Sequence, residues 1–266
     1  MITYFPQILA QAAHYYGGGN DFYYSPATMG GMYSGLTLVG LALVLITAVI
    51  GGAVQMGLKS AFNRYSQEPA PLTGAEAARR MLQQNGLGDV QVISTPGRLT
   101  DHYNPLDRTV NLSESVYNCA SVAAIAVAAH ECGHAIQHAR AYPWLGLRSS
   151  LVPMVNIGSR LGQIVLMTGL FLLAAGTGTT VAWIGLALYA TTTLFAFVTL
   201  PVEFDASRRA LAWLQSSGLA DRAMHGQAGT ALRWAAMTYV AAALSSLAML
   251  LYYALILLSR MNSNRD

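Results

Sequence analysis

The chain has 266 residues with 15 Lys or Arg, 12 Asp or Glu and a net charge of +3. Charged residues make up 10% of it, against roughly 25% in a soluble domain, and the mean hydropathy is +0.40. These values exclude an ordinary soluble enzyme, a disordered regulator and a nucleic-acid-binding domain, and two Cys exclude a disulfide framework.

An integral membrane protein remains. Residues 1–28 read as an N-terminal tail without Lys or Arg, rich in Tyr and Gly. The tail is not a cleaved signal peptide, because it has no basic start and its apolar stretch comes too late. The 37 residues between Asp21 and Lys59 carry no charge, which places a first transmembrane helix in 29–58, with 33–58 apolar enough to span.

Residues 59–148 form a polar insert. Thr73-Gly-Ala-Glu76 has the spacing of a capping box and starts a helix that runs to about Asn85, with Gly86 as its stop. Strands are expected at 90–93, 97–103 and 108–112, separated by turns at Pro96-Gly97 and Asn104-Pro-Leu-Asp107. A long Ala-rich helix follows over 121–140. The order predicts a small α+β unit: a helix, a short antiparallel sheet and a second helix.

Between Arg160 and Glu203 lie 42 more uncharged residues. They supply most of two spans in 149–201, near 153–175 and 179–200, with Gly176-Thr-Gly-Thr-Thr180 as the turn. Residues 202–233 form a charged segment. A fourth span at 234–258 and a short tail complete the chain to residue 266. Lys and Arg number eight in 59–148 and four in 202–233. This bias puts both segments on the cytoplasmic side of the plasma (inner) membrane.

The chemistry lies in Ala128-Ala-His-Glu-Cys-Gly-His-Ala-Ile-Gln137. His130 and His134 are four apart and project from one helical face, where two imidazoles can bind one Zn2+. Glu131 beside them is the expected base that takes a proton from the attacking water. The competing reading is an Ala-rich helix with two surface His, but Glu and two His are out of place on so apolar a helix. Cys132 points away from the His face and reads as a packing residue. Gly133 costs about 1 kcal/mol against Ala in a helix, which asks for a packing or substrate-approach reason.

A third ligand is needed. His138 continues the four-residue spacing, but three His along one straight helix converge poorly on a tetrahedral ion. It fits better as a support for the site or as a surface residue. Glu203 ends the uncharged run just after Pro201, on the same predicted side as His130, and opens what reads as a helix start, Glu203-Phe-Asp-Ala-Ser-Arg-Arg-Ala210. A carboxylate that merely stabilises the helix dipole is the alternative for Glu203.

The chain resembles the YugP-like neutral zinc metallopeptidases and, more distantly, the HtpX-type and CAAX-prenyl membrane proteases. The matching segments are Leu72-Thr-Gly-Ala-Glu-Ala-Ala-Arg-Arg80, Leu99-Thr-Asp-His-Tyr-Asn-Pro105, Arg108-Thr-Val-Asn-Leu-Ser113, residues 121–138, Leu147-Arg-Ser-Ser-Leu-Val-Pro153, Asn156-Ile-Gly-Ser-Arg160 and Leu200-Pro-Val-Glu-Phe-Asp-Ala-Ser207. The resemblance covers about residues 55–258. It implies a membrane-embedded zinc endopeptidase of membrane or membrane-adjacent proteins, with a zincin-like insert. His130, His134 and Glu203 would be the ligands and Glu131 the base. The distant relatives carry an Asp four residues after the ligand Glu. Here that position is Ser207, and Asp205 is the residue to take over its supporting role.

Other residues stand as candidates for support or for the substrate cleft. Asp101 and His102 could orient a ligand His or line the cleft, or simply serve the turn at Asn104-Pro105. Arg160 shares a helical face with Asn156, Ser159 and Gln163; it could bind substrate, pair with Asp205, or snorkel to the interface. His225, in an apparent Gly-rich loop, could steady an oxyanion or be an exposed loop residue. The non-enzymatic alternative is an accessory subunit docked on a larger membrane complex through the tail. Expected partners are peptide substrates and the lipid bilayer, and no nucleic acid.

Overall fold

The computed structural model describes residues 32–263 except 98, 175 and 176. The expectations for the tail at 1–28 lie outside the described residues. The described chain is mainly α-helical: α1 (Met32–Tyr65), α2 (Gly74–Gln84), β1 (Gln91–Thr95), β2 (His102–Asn104), β3 (Thr109–Ser113), α3 (Glu114–Tyr117), α4 (Val122–Ala139), α5 (Pro143–Ala174), α6 (Thr179–Ser216) and α7 (Arg222–Ser263). Four helices, α1, α5, α6 and α7, are long and apolar enough to cross a membrane. At 1.5 Å per residue, α5, α6 and α7 (32, 38 and 42 residues) exceed the roughly 30 Å of a bilayer core.

Two compact units are formed. The first holds Ala53–Leu147 with Thr199–Tyr239. Helix α2 starts with the full capping box: Glu76 N–H donates to the Thr73 hydroxyl, and the Thr73 amide donates to Glu76 Oε2 at 2.8 Å. Gly86 follows with φ +74°, the left-handed conformation that ends the helix. The apolar faces of α2 and α4 meet in a core that includes Met81, Leu82, Val110, Leu112, Ile125 and Leu214, all 1% exposed or less.

The sheet corrects the expected pairing. Its order is β1-β3-β2; β2 pairs antiparallel with β3, but β1 pairs parallel with β3. The reason is burial. All five residues of β3 are buried, so β3 takes the central place, and two chain reversals leave β1 running in its direction. Strand β2 is also shorter than the expected 97–103. Gly97 (φ +102°) and Leu99 (φ +58°) adopt left-handed backbone, so that stretch turns. Arg108 (φ +54°) likewise turns, and β3 begins one residue later at Thr109.

Two further expectations are corrected. Glu203 does not start a helix. Helix α6 runs on through Pro201, with Val198, Val202, Ala206 and Ala210 all buried, so packing on both sides of Pro201 outweighs the lost backbone bond. His225 is not in a loop. It stands on the first turn of α7, which Asp221 starts by accepting the Met224 amide at 2.7 Å. Burial of Ala228, Gly229 and Leu232 holds this Gly-rich turn helical.

The second unit holds Arg148–Val198 with the described parts of residues 10–52 and 240–266. Here α5 and α6 touch through glycine. A Cβ on Gly169 would meet Ala182 N at 2.3 Å, and one on Gly185 would meet Leu166 N at 2.3 Å. Small residues at such crossings let helix backbones approach in a bilayer. Thr193 and Ser246 add a 2.6 Å hydroxyl–hydroxyl bond between α6 and α7. Helix α5 starts at Pro143, ahead of the span expected from 153, and it contains Pro153.

Candidate metal centre

Helix α4 carries the two histidines. Ser121 caps it by accepting the Ala124 amide at 3.3 Å. The apolar residues that follow bury it on nearly all sides: Val122, Ile125, Ala128, Ala129, Cys132 and Ala135 are all at most 1% exposed. Gly133 has a packing reason. A Cβ there would sit 2.6 Å from the Ala206 carbonyl oxygen and 3.0 Å from its Cα. The missing side chain lets α4 approach the backbone of α6 three residues beyond Glu203.

That approach gathers three donors. Nε2 of His130 lies 3.3 Å and Nε2 of His134 lies 3.7 Å from Oε2 of Glu203. The rings are nearly perpendicular (86°), with centroids 4.8 Å apart. One ligand atom from each of His130, His134 and Glu203 falls within 4.8 Å of the others. Glu203 is 2% exposed.

The hydrogen bonds behind the rings decide whether this trio fits a cation. Gln137 is fully buried, and its amide nitrogen donates to the Val202 carbonyl at 2.8 Å and to Asp205 Oδ2 at 3.0 Å. Both partners only accept, so the Gln137 oxygen must face His134 Nδ1, 3.0 Å away. His134 Nδ1 therefore donates to Gln137, and Nε2 is the ring nitrogen turned toward Glu203. That Nε2 is buried without a hydrogen-bond partner among the described residues. A buried carboxylate on which two imidazole nitrogens converge calls for positive charge at that point, supplied by a metal ion or by an imidazolium proton. The Ser207 hydroxyl holds His130 at Nδ1, 3.1 Å away, and its Nε2 lies 3.3 Å from Glu203 Oε2. Imidazoles held from behind at Nδ1, with Nε2 turned toward a carboxylate, are the ordinary support of a metal site. The residues fit a zinc ion, with an N, N, O donor set that leaves a fourth position open.

Glu131 lies on the same helix, 5% exposed. Burial pushes its carboxyl up to about 7; the nearby Asp101 and Glu203 carboxylates add to this, and His130 and the Tyr103 amide oppose it. The Tyr103 N–H donates to Glu131 Oε2 at 3.1 Å. A general base works best with a pKa near the operating pH. Cys132 faces the other way, its Sγ 3.6 Å from the Ala78 carbonyl, and burial raises its thiol well above the usual range.

The remaining expected residues are distributed as follows. Asp101 accepts from Ser113 N (2.7 Å) and Oγ (3.0 Å), tying the approach to β2 onto the end of β3; burial raises its carboxyl, against those bonds. The orienting of the ligand histidines falls to Ser207 and Gln137. His102 Nδ1 bonds to the Thr100 carbonyl at 2.7 Å. His138 Nδ1 bonds to the Tyr103 hydroxyl at 2.9 Å. Asp205 supports His134 through Gln137 and is ion-paired to Arg208 and to Arg209, the latter at 2.6 Å. Arg160 is exposed on α5 and belongs to the other unit. His225 stands at the start of α7, where its amide donates to the Asp221 carbonyl.

Gln137 and Tyr103 escaped the reading of the sequence. An uncharged amide three residues after His134, on a helix otherwise apolar there, was the available signal for Gln137. Tyr103 acts through its backbone and left none.

Comparison with known proteins agrees with this geometry. A family model described as "Putative neutral zinc metallopeptidase" matches residues 40–258. The chain is 41% identical over 228 residues to the "Putative membrane protease YugP" of Bacillus subtilis (strain 168), covering 84% of this chain and 100% of that protein. No solved structure matches.

Proposed function

The chain belongs to the neutral zinc metallopeptidase family, and on that footing we propose that it is a membrane-embedded zinc endopeptidase. Its substrates are peptide bonds of membrane or membrane-adjacent proteins, and its catalytic unit stands on the cytoplasmic side of the inner membrane. The observation that carries the reading is the convergence of His130 Nε2, His134 Nε2 and the buried Glu203 carboxylate on one point, with His134 Nε2 lacking a hydrogen-bond partner among the described residues.

His130, His134 and Glu203 would hold one zinc ion, which would supply a Lewis acid for the scissile carbonyl and the attacking water. Glu131 takes the proton of the attacking water and returns it to the leaving amine. The Tyr103 amide occupies Oε2 of Glu131 and leaves the other oxygen for proton transfer. Ser207 and Gln137 keep the imidazoles turned with Nε2 forward. Three members of this set, Glu131, His134 and Glu203, are at most 5% exposed, so bulk water is largely kept from them.

The test is zinc quantification together with hydrolysis of a casein-type reporter by the full chain in detergent or nanodiscs. Wild type is expected to hold one zinc and cleave, and Glu131→Gln to hold zinc without cleaving. Normal turnover by Glu131→Gln overturns the assignment. A wild-type protein that purifies in a stoichiometric complex without zinc supports the accessory-subunit alternative instead.

A further inference from the structure

Tyr103 meets α4 at two points. Its backbone N–H donates to Glu131 Oε2 at 3.1 Å, and its hydroxyl shares a 2.9 Å hydrogen bond with His138 Nδ1. Glu131 and His138 are seven residues apart, so they share one face of the helix about 10 Å apart along its axis. Tyr103 is 9% exposed, and its ring centroid lies 5.8 Å from that of His138. A single residue thus lies along two turns of the helix, with its backbone at the carboxylate and its phenol at the imidazole.

Strand β2 is three residues long, stands at the sheet edge and, among the described residues, pairs with β3 alone. The segment before it turns through left-handed Gly97 and Leu99. Short edge segments open most easily. The side-chain bond at His138 pins the strand to the same helix that carries Glu131. Any slide of β2 along α4 breaks both bonds together.

We propose that His138 is a positioning residue for hydrolysis, acting through the Tyr103 hydroxyl to hold the Tyr103 amide on Glu131. This rests on the reading of Glu131 as the base. It also accounts for the third histidine of the helix: its Nδ1 is committed to Tyr103, and it stands outside the metal-binding trio.

The experiment uses the full chain, zinc-loaded in nanodiscs and labelled with 15N-tyrosine. The Tyr103 amide is assigned by its loss in Tyr103→Phe. In His138→Ala the Tyr103 amide proton moves upfield, zinc stoichiometry is unchanged, and kcat falls about tenfold with KM within about twofold, the scale of a lost supporting contact at a metal site. Tyr103→Phe lowers kcat equally, and the double variant is no worse than either single one, as expected of one shared contact. His138→Asn, whose amide reaches the place of Nδ1, restores both the amide shift and kcat. An unmoved amide, a loss of zinc, or a rise in KM alone refutes the proposal. Full turnover by Glu131→Gln refutes the base assignment and the proposal with it. An unmoved amide with Glu131→Gln inactive refutes the proposal alone.

Discussion

Replacing Gly133 by Ala sets two effects against each other. As a helix residue, Ala is favoured over Gly by about 1 kcal/mol, so helix propensity alone predicts a more stable protein. The contact with α6 predicts the reverse for the site. The new Cβ would stand 2.6 Å from the Ala206 carbonyl oxygen, where ordinary contact begins near 3.4 Å. The two helices must separate by about 0.8 Å, and the neighbour is backbone, which no rotamer change can move aside. Metal–ligand distances tolerate only about 0.2 Å. Glu203 rides on the helix that is displaced, one turn before Ala206. Zinc affinity in Gly133→Ala is therefore expected to fall by about 10–100-fold, as when supporting contacts of a metal site are lost. The assay is competition with a fluorescent zinc chelator, with far-ultraviolet circular dichroism to show that helix content is kept. Gly146→Ala, also in a helix but with nothing within 4 Å of the added Cβ, is the control and should bind zinc as wild type does. Wild-type zinc affinity in Gly133→Ala would refute the argument that close helix approach assembles the donors.

Gln137→Leu keeps the volume but frees His134 to turn; chelator competition should show zinc affinity reduced by about 10–100-fold. Zinc should raise the melting temperature of wild type, by the equivalent of about 2.7 kcal/mol at a hundred times its Kd, and leave Glu203→Ala unchanged in a thermal-shift assay. Thr73→Ala removes the reciprocal cap of α2 and should cost about 1 kcal/mol of stability, read by thermal denaturation, with zinc stoichiometry unaltered.

Legibility from sequence followed how local each determinant is. The capping box at Thr73 and Glu76 involves neighbours in the chain and forms as spaced. The pair His130 and His134 needs only helical periodicity. Glu203 stood out because it breaks a long uncharged run, though the helix around it continues where Pro201 suggested a start. The direction of β1 was not legible, because it depends on β3 being the most buried strand, a property of the packed core rather than of any turn. His225 was misplaced for a similar reason: Gly226 and Gly229 look like breakers until the packing of Ala228 and Leu232 is known. Ser207 was visible as a departure from distant relatives, but that its hydroxyl reaches His130 is a matter of how α6 is turned.

The donors are also far apart in the order of synthesis. His130 and Glu203 are separated by 73 positions, and between the histidines and the carboxylate lie α5 and the front of α6, two helices of membrane length. A ribosome delivers the histidines first. The set is complete only after both intervening helices have been made. A nascent chain that has not yet reached Glu203 holds only the two histidines, so the trio is completed late in synthesis.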